Sequence, residues 1–300
     1  MLVIIAVFVV IVLLTPGFFS VGNIRAILES ASVTGVVAVT ATLVTLSGNF
    51  FSLSTQQSCI FSAVLFAAMI GHGWAVPIAL IVVLAAVTLC GVIQGVVVAA
   101  GLNPIITTLA AGSIILGGVA GVTQNASVSM GSRSVAWLGI DQFHGVPVAV
   151  IVFFVVTAAV WWVAEKTTLG RRTLLSGANR ATAEISGISI ATVTIWAFAI
   201  AGFGAALAGI LTASEIGYAN TTFFGTATFD VIAAILVGGT AIQGGYGSPL
   251  RSAYGAVFIS VINNAMLAHQ FSGGEQQALE GALVLAVIIF LQSPVFRGRR

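Results

Sequence analysis

Charge is nearly missing from this chain. Ten Lys and Arg and eight Asp and Glu make up 6% of its 300 residues, where a soluble domain carries roughly 25%. From Ser30 to Ser132 no Asp, Glu, Lys or Arg occurs. Too few polar ends remain to coat a water-soluble globule, and disordered and collagen-like chains are excluded by the same composition. A net charge of +2 gives no reason to expect a nucleic-acid partner. Lysine occurs once, as Lys166, with Glu165 before it. A phosphate-cradling P-loop needs Gly directly before its Lys, so the chain holds no such ATPase site. The two cysteines, Cys59 and Cys90, lie in apolar runs and say nothing of redox compartment. His72, His144 and His269 are far apart in sequence, and no metal-ligand spacing results. Neither a His-Glu-x-x-His pair nor a Gly-x-Ser-x-Gly elbow is found.

What is present is oil: 59% of the residues are hydrophobic. Helices are the default in lipid because each satisfies its own backbone, and one span takes about 20 apolar residues. The pattern predicts an all-α integral membrane protein of ten transmembrane helices: 2–19, 31–47, 55–71, 77–99, 105–123, 147–164, 191–213, 226–243, 254–271 and 277–293. Pro77, Pro104 and Pro147 stand near helix starts, where a missing N–H costs little. Gly244, Gly245, Gly247 and Pro249 mark a turn. The whole chain, 1–300, reads as a single polytopic domain. With both termini cytoplasmic, Lys166, Arg171, Arg172, Arg180, Arg251, Arg297, Arg299 and Arg300 face inward and only Arg25 and Arg133 face out, as the positive-inside rule asks. The span at 2–19 begins at Met1 without a basic flank, so either it is a true first span or the protein starts further upstream.

Residues 165–190 hold six of the 18 charges: Glu165, Lys166, Arg171, Arg172, Arg180 and Glu184. Leu174, Ala178 and Ile185 fall near helical spacing, which predicts a short helix outside the membrane between Gly170 and Gly187. Such a loop either fixes topology alone or docks a partner.

Few ionisable groups enter the spans, and those that do are functional candidates by default. Asp230 reads as a first-turn carboxylate that stabilises a helix N-terminus by about 0.3–1 kcal/mol. Glu280 lies one turn into the last span, facing either the pathway or the interface. Uncharged polar residues in or beside the spans could exchange hydrogen bonds with a bound ligand: Asn49, Gln57, Gln94, Thr107, Thr108, Asn263 and Asn264, with Phe50 and Phe51 offering aromatic faces beside them. The alternative for each is a helix–helix hydrogen bond worth about 0.6 kcal/mol. The stretch Ser47–Ser54 predicts non-helical backbone at membrane depth, which survives only under cover of protein or water. Gly91-x-x-x-Gly95 and Gly117-x-x-x-Gly121 read as close helix packing.

Several motifs recur in one order. They are Gly170-Arg171, Gly177, Asn179, Ala183 and Ser186-Gly187-Ile188; then Asp230 to Ala234, Gly238-Gly239-Thr240, Gly244-Gly245, Gly247 and Gly255; and, earlier, Asn103-Pro104 with Thr108-Leu109. Together they resemble the permease subunits of ATP-binding-cassette transporters of the ribose and simple-sugar type, related to branched-chain amino acid permeases. Two positions depart: Phe50 stands where the family has an acidic residue, and Thr182 where it commonly has Ala. The resemblance implies a non-enzymatic translocation subunit in a bacterial inner membrane, importing a pentose or hexose by alternating access. It implies three protein partners: a cytoplasmic ATPase subunit holding ATP and Mg, a periplasmic or lipoprotein sugar-binding protein, and a second permease chain, identical or related. This chain itself would hold no cofactor or metal. The ATPase would dock on Gly170, Arg171, Arg172, Gly177, Asn179, Ala183, Ser186 and Gly187. Rival readings are an importer of branched-chain amino acids and a stand-alone secondary transporter. The latter would place coupling-ion ligands, often carboxylates, near mid-membrane, and no acidic residue is convincing there.

Overall fold

In the computed structural model, residues 17–131, 135, 142–143 and 146–292 are described. Ser20 starts the first of their helices by accepting from Asn23 N at 3.3 Å. Helix α1 (Val21–Leu46) therefore begins ten residues before the expected span. Its charged first turns stay helical because Arg25 Nε pairs with Glu29 Oε1 one turn on, at 2.8 Å. There follow α2 (Thr55–Gly71), α3 (Val76–Ala99), α4 (Pro104–Thr123), α5 (Val148–Lys166), α6 (Thr168–Ala178), α7 (Arg180–Ile185), α8 (Ile190–Ile216), α9 (Ala227–Val237), α10 (Pro249–Ala268) and α11 (Gly273–Gln292). Five of them, α1, α3, α4, α5 and α8, are long and apolar enough to cross a membrane, while α2 and α9 are shorter apolar helices. The expected span at 2–19 lies, up to residue 16, outside the described residues.

The helices run between two ends. At one, which we term the loop end, lie Leu46, Lys166 and the α6–α7 pair; Gly245 N donates to Leu46 O at 3.1 Å. At the far end, β1 (Val128–Ser129) pairs antiparallel with β4 (Tyr218–Ala219), and a Cβ on Gly71 would lie 2.6 Å from Ser129 O. The short strands β2 (Gln142–Phe143) and β3 (Val146–Pro147) also pair antiparallel. A capping box fixes the start of α11: Ser272 N donates to Glu275 Oε2 at 2.7 Å and Glu275 N to Ser272 Oγ at 3.4 Å. Those bonds hold the exposed Glu275 carboxyl below its ordinary pKa.

Helix α8 is the central post, packed on α1, α2 and α3. Glycines set the distances. A Cβ on Gly91 would fall 2.5 Å from Phe198 O, and one on Gly95 2.8 Å from Ile195 Cα. The first small-residue pair is thus the α3–α8 contact. The second makes no such contact among the described residues: a Cβ on Gly117 or Gly121 would meet nothing within 4 Å.

Three expectations need correction. The expected span 226–243 ends at Val237, because Gly238 and Gly239 close the helix: Gly239 N bonds Leu236 O and Thr240 N bonds Ile235 O. The span expected from 254 starts instead at Pro249, which needs no N–H in a first turn. The single loop helix is two helices meeting at Asn179, whose extended backbone breaks the run and whose Oδ1 accepts from Thr182 N at 3.1 Å. Ile185 is not on a buried face, being 89% exposed; Gly170, Thr173 and Ser176 of α6 and Ala183 of α7 are the residues buried.

Two helices start part-way along the bundle. Ser62 Oγ on α2 donates to Ala206 O at 2.6 Å, and Ala206 lies about 24 Å along α8 at 1.5 Å per residue. Helix α2 therefore begins inside the bundle, after an eight-residue climb from the loop end. Helix α9 starts beside it, Gln56 N donating to Thr228 Oγ1 at 3.4 Å, and runs the opposite way along α10.

Overpacking a closed interface costs about 1–3 kcal/mol. Gly91→Leu should lower the thermal midpoint of the detergent-solubilised protein, and Gly117→Leu, with open space around it, should not. Equal midpoints would remove the close α3–α8 contact.

Candidate functional site

The break between α1 and α2 brings many of the candidate residues together. Leu46 ends α1, and Ser47 Oγ turns back on Val44 O at 2.6 Å. Asn49 is 1% exposed; its Nδ2 donates to Ser47 Oγ at 2.9 Å and to Thr194 Oγ1 on α8 at 3.2 Å. Ser52 and Ser54 share a hydrogen bond of 2.9 Å, and Ser54 Oγ donates to Gln94 Oε1 on α3 at 2.8 Å. Leu53 N donates to Thr108 Oγ1 on α4 at 3.1 Å. The non-helical backbone of the break is thus bonded to α1, α3, α4 and α8, as buried polar groups require.

A cavity of about 20 Å³ lies against this break, lined by Ser52, Ser54, Thr55, Ser58 and Gln94 with small residues of α8. It has room for one water. None of its lining residues is ionisable. Outside the cavity lining, the buried oxygens Asn49 Oδ1, Gln57 Oε1 and Thr107 Oγ1 have no hydrogen-bond partner among the described residues. Gln57 faces α4, where a Cβ on Gly112 would lie 3.1 Å from Oε1. Phe50 is 49% exposed, while Phe51 packs on the core. Such a lining can exchange hydrogen bonds with a neutral ligand and offers no proton relay or electrophile.

Asn263 and Asn264 sit apart, on α10. Asn263 Nδ2 donates to Asp230 Oδ1 at 2.8 Å, and Thr226 Oγ1 donates to Asp230 Oδ2 at 2.8 Å. Asp230 is 6% exposed. It is more than a helix-terminus charge: it ties α9 to α10. The Oδ1 atoms of Asn263 and Asn264 are buried without a partner among the described residues. Glu280 belongs to α11, but its side chain lies outside the described residues.

The loop candidates have separate tasks. Gly170 lets α6 fold against α5, since a Cβ there would collide with Ala164 O. Arg171 and Arg172 are exposed. Gly177 is wedged between Leu46 O and Gly245 N. Ala183 is 3% exposed, Ser186 Oγ donates to Thr182 O at 2.8 Å, and Gly187 takes φ 77° just past α7 in open space. Sequence reasoning missed Ser52, Ser54, Ser58 and Thr194. The density of Ser and Thr between residues 47 and 58 was the available signal. Among the described residues no group of three His, Cys, Asp or Glu is placed to hold a metal.

An apolar helical bundle in which α2 and α9 start part-way along defines a multi-pass membrane protein. The chain belongs to the family described as branched-chain amino acid transport system / permease component, whose model matches residues 23–292. It is 30% identical over 282 residues to the ribose import permease protein RbsC of Haemophilus influenzae, covering 92% of this chain and 87% of that protein. Identity to the probable ABC transporter permease protein YphD of Escherichia coli is 32% over 294 residues, 96% of this chain and 87% of that one. Identity to the autoinducer 2 import system permease protein LsrD of Salmonella paratyphi B is 27% over 265 residues, 85% and 79% of the two chains. No solved structure matches. The resemblance to sugar-type permeases is therefore sound.

Removing an acceptor strands its buried donors at about 1–3 kcal/mol. Asp230→Ala should lower the thermal midpoint in detergent more than Asp230→Asn, which keeps one acceptor oxygen. An unchanged midpoint in Asp230→Ala would mean that the carboxylate does not hold α9 to α10.

Proposed function

We propose that the chain is the translocating permease subunit of an ATP-binding-cassette importer for a simple sugar, a pentose or hexose, working by alternating access in a bacterial inner membrane. The observation that carries the sugar reading is the uncharged polar make-up of the break, whose cavity has room for one water here and would open further for a sugar, together with buried oxygens that lack donors among the described residues. Sugar hydroxyls supply such donors, whereas an amino acid zwitterion brings two charges that need partners. The import role of the ribose permeases aligned above supports the same solute class. Asn49, Phe50, Phe51, Gln57, Thr107, Thr108, Asn263, Asn264 and Glu280 are the pathway candidates.

Residues 1–300 form one permease domain with ten spans and both termini cytoplasmic. Support comes from charge: of the six basic residues within the described segments, Lys166, Arg171, Arg172, Arg180 and Arg251 gather at the loop end and Arg25 alone at the other. The loop end is then cytoplasmic. A separate ATPase subunit, carrying ATP and Mg, docks there on Gly170, Arg171, Arg172, Gly177, Asn179, Ala183, Ser186 and Gly187. A sugar-binding protein docks at the far end, and a second permease chain completes the pathway. This chain holds no cofactor of its own.

Cells lacking their own ribose uptake and supplied with this chain, its ATPase and its binding protein should accumulate labelled ribose. Arg171→Glu combined with Arg172→Glu should insert normally and cut uptake about tenfold or more, the scale of a lost inter-site coupling. Uptake of leucine in place of ribose would favour the amino acid reading. Ile185→Cys should react with a membrane-impermeant maleimide only from the cytoplasm; reaction from outside would overturn the orientation.

A further inference from the structure

Three interruptions of helices meet at the loop end, and they meet as backbone. The break after α1 brings Gly48, the α6–α7 joint brings Gly177, and the turn between α9 and α10 brings Gly244 and Gly245. A Cβ on Gly177 would collide with Leu46 O and stand 2.5 Å from Gly245 N and 3.0 Å from Gly48 N. One on Gly244 would stand 2.6 Å from Gly48 Cα and 2.8 Å from Thr45 O. One on Gly245 would stand 2.5 Å from both Cα and N of Ala178. Gly245 N also donates to Leu46 O, tying the α9–α10 turn to the end of α1 at 3.1 Å. A Cβ on Gly187, at the other end of the loop, would meet nothing within 4 Å among the described residues, and one on Gly170 meets α5; of these loop glycines it is Gly177 that has the end of α1 and the α9–α10 turn against it.

Each segment leads from the knot into the bundle. Past Gly48 come Asn49, bonded to Thr194, and the Ser52–Ser54–Gln94 chain beside the cavity. Behind Gly244 stands α9, whose first turn holds Asp230 on Asn263 and lies beside Gln56. Both helices that start within the bundle are therefore reached from Gly177 by main chain alone.

We propose that this glycine knot is the mechanical joint of the transporter, with Gly177 as its positioning residue. The proposal rests on the permease reading given above. A partner that displaces α6 moves Gly177. Main chain in van der Waals contact with main chain passes that displacement to the 47–54 break and to the α9–α10 turn together. Side-chain contacts absorb small shifts by changing rotamer; close-packed backbones have no such slack. The contact converts a shift of one loop into a joint shift of both interrupted helices, a packed element with two discrete arrangements.

The test uses the full complex, with its ATPase and binding protein, in proteoliposomes. Leu53→Cys, in a chain also carrying Cys90→Ala, reports on the break; Cys59 is fully buried. Its maleimide reaction rate should differ by about fivefold or more between the ATP-free and the vanadate-trapped complex, the lower bound of a typical inter-site coupling. Gly177→Ala in that background should lose both the rate difference and ribose uptake. Ala178→Gly, which loosens the knot without adding volume, should assemble and lose part of each. Gly117→Ala should lose neither. Equal rates in the two nucleotide states of Leu53→Cys overturn the joint whether or not Gly177→Ala assembles. Full coupling in Ala178→Gly, or in an assembled Gly177→Ala, overturns it as well. A parent chain that draws no ATPase and imports nothing overturns the permease reading, and this inference with it.

Discussion

Lipid offers no hydrogen bond, so every backbone N–H and C=O inside it must find a partner in the chain itself. Continuous helices meet that demand unaided. The break after α1 and the turn between α9 and α10, two of the three interruptions at the loop end, do not, and the architecture there covers them. At the first, Gly48 N returns to Thr45 O, Asn49 N to Val44 O, and Leu53 N crosses to Thr108 Oγ1. At the second, Ala241 N bonds Tyr246 O at 2.8 Å and Gly244 N bonds Ala241 O at 3.0 Å. Leu46 O, at the end of α1, is satisfied from the second interruption by Gly245 N. Two defects that would each be costly alone thus cover one another, which is why they sit side by side.

Closeness is the means. Between helices surrounded by lipid the hydrophobic effect gives little net attraction, and van der Waals contact between small residues takes its place. A Cβ on Gly204 would collide with Thr40 Oγ1, and one on Gly255 with Ala234 O. The hydroxyls at these seams bond inward instead of reaching for water. Thr40 Oγ1 donates to Val36 O and Thr42 Oγ1 to Ala38 O, while Thr42 Oγ1 and Ser252 Oγ are 2.7 Å apart across α1 and α10. Abundant Gly, Ser and Thr in an apolar chain are therefore the material of close approach, and the same material makes a backbone-only junction possible at Gly177.

Much of this was legible in the residues. Apolar runs and prolines located α2, α3, α4, α5 and α8 within a few residues, because hydropathy and the N-terminal tolerance of Pro are local properties. The break at Ser47–Ser54 was legible because Ser, Gly and Asn cluster there. Boundaries failed where a capping bond outweighs hydropathy: Ser20 and the Arg25–Glu29 pair extend α1 into polar sequence, and Gly238–Gly239 cut α9 short within apolar sequence. The meeting of Gly48, Gly177, Gly244 and Gly245 was beyond reach, since nothing in sequence spacing says which glycines face each other across about 200 residues. For the same reason Asp230 read as a helix-terminus charge; its bond to Asn263 spans 33 positions.

The distribution of charge separates two kinds of work. A buried carboxylate exists, Asp230, but Thr226 and Asn263 both donate to it, so its field is spent on holding two helices together. The cavity by the break meets only hydroxyl, carboxamide and hydrocarbon. On the permease reading that suits a neutral ligand that has to leave as readily as it arrives: a fixed charge would make a deep well, whereas single neutral hydrogen bonds net about 1 kcal/mol each and are readily exchanged. Shallow contacts of that size cannot themselves drive a change between packings, because a ligand shifts an equilibrium only by its differential affinity for the two states. The driving difference must then enter elsewhere, and on the proposed reading it enters at the Arg-rich loop, which rests on the glycine knot.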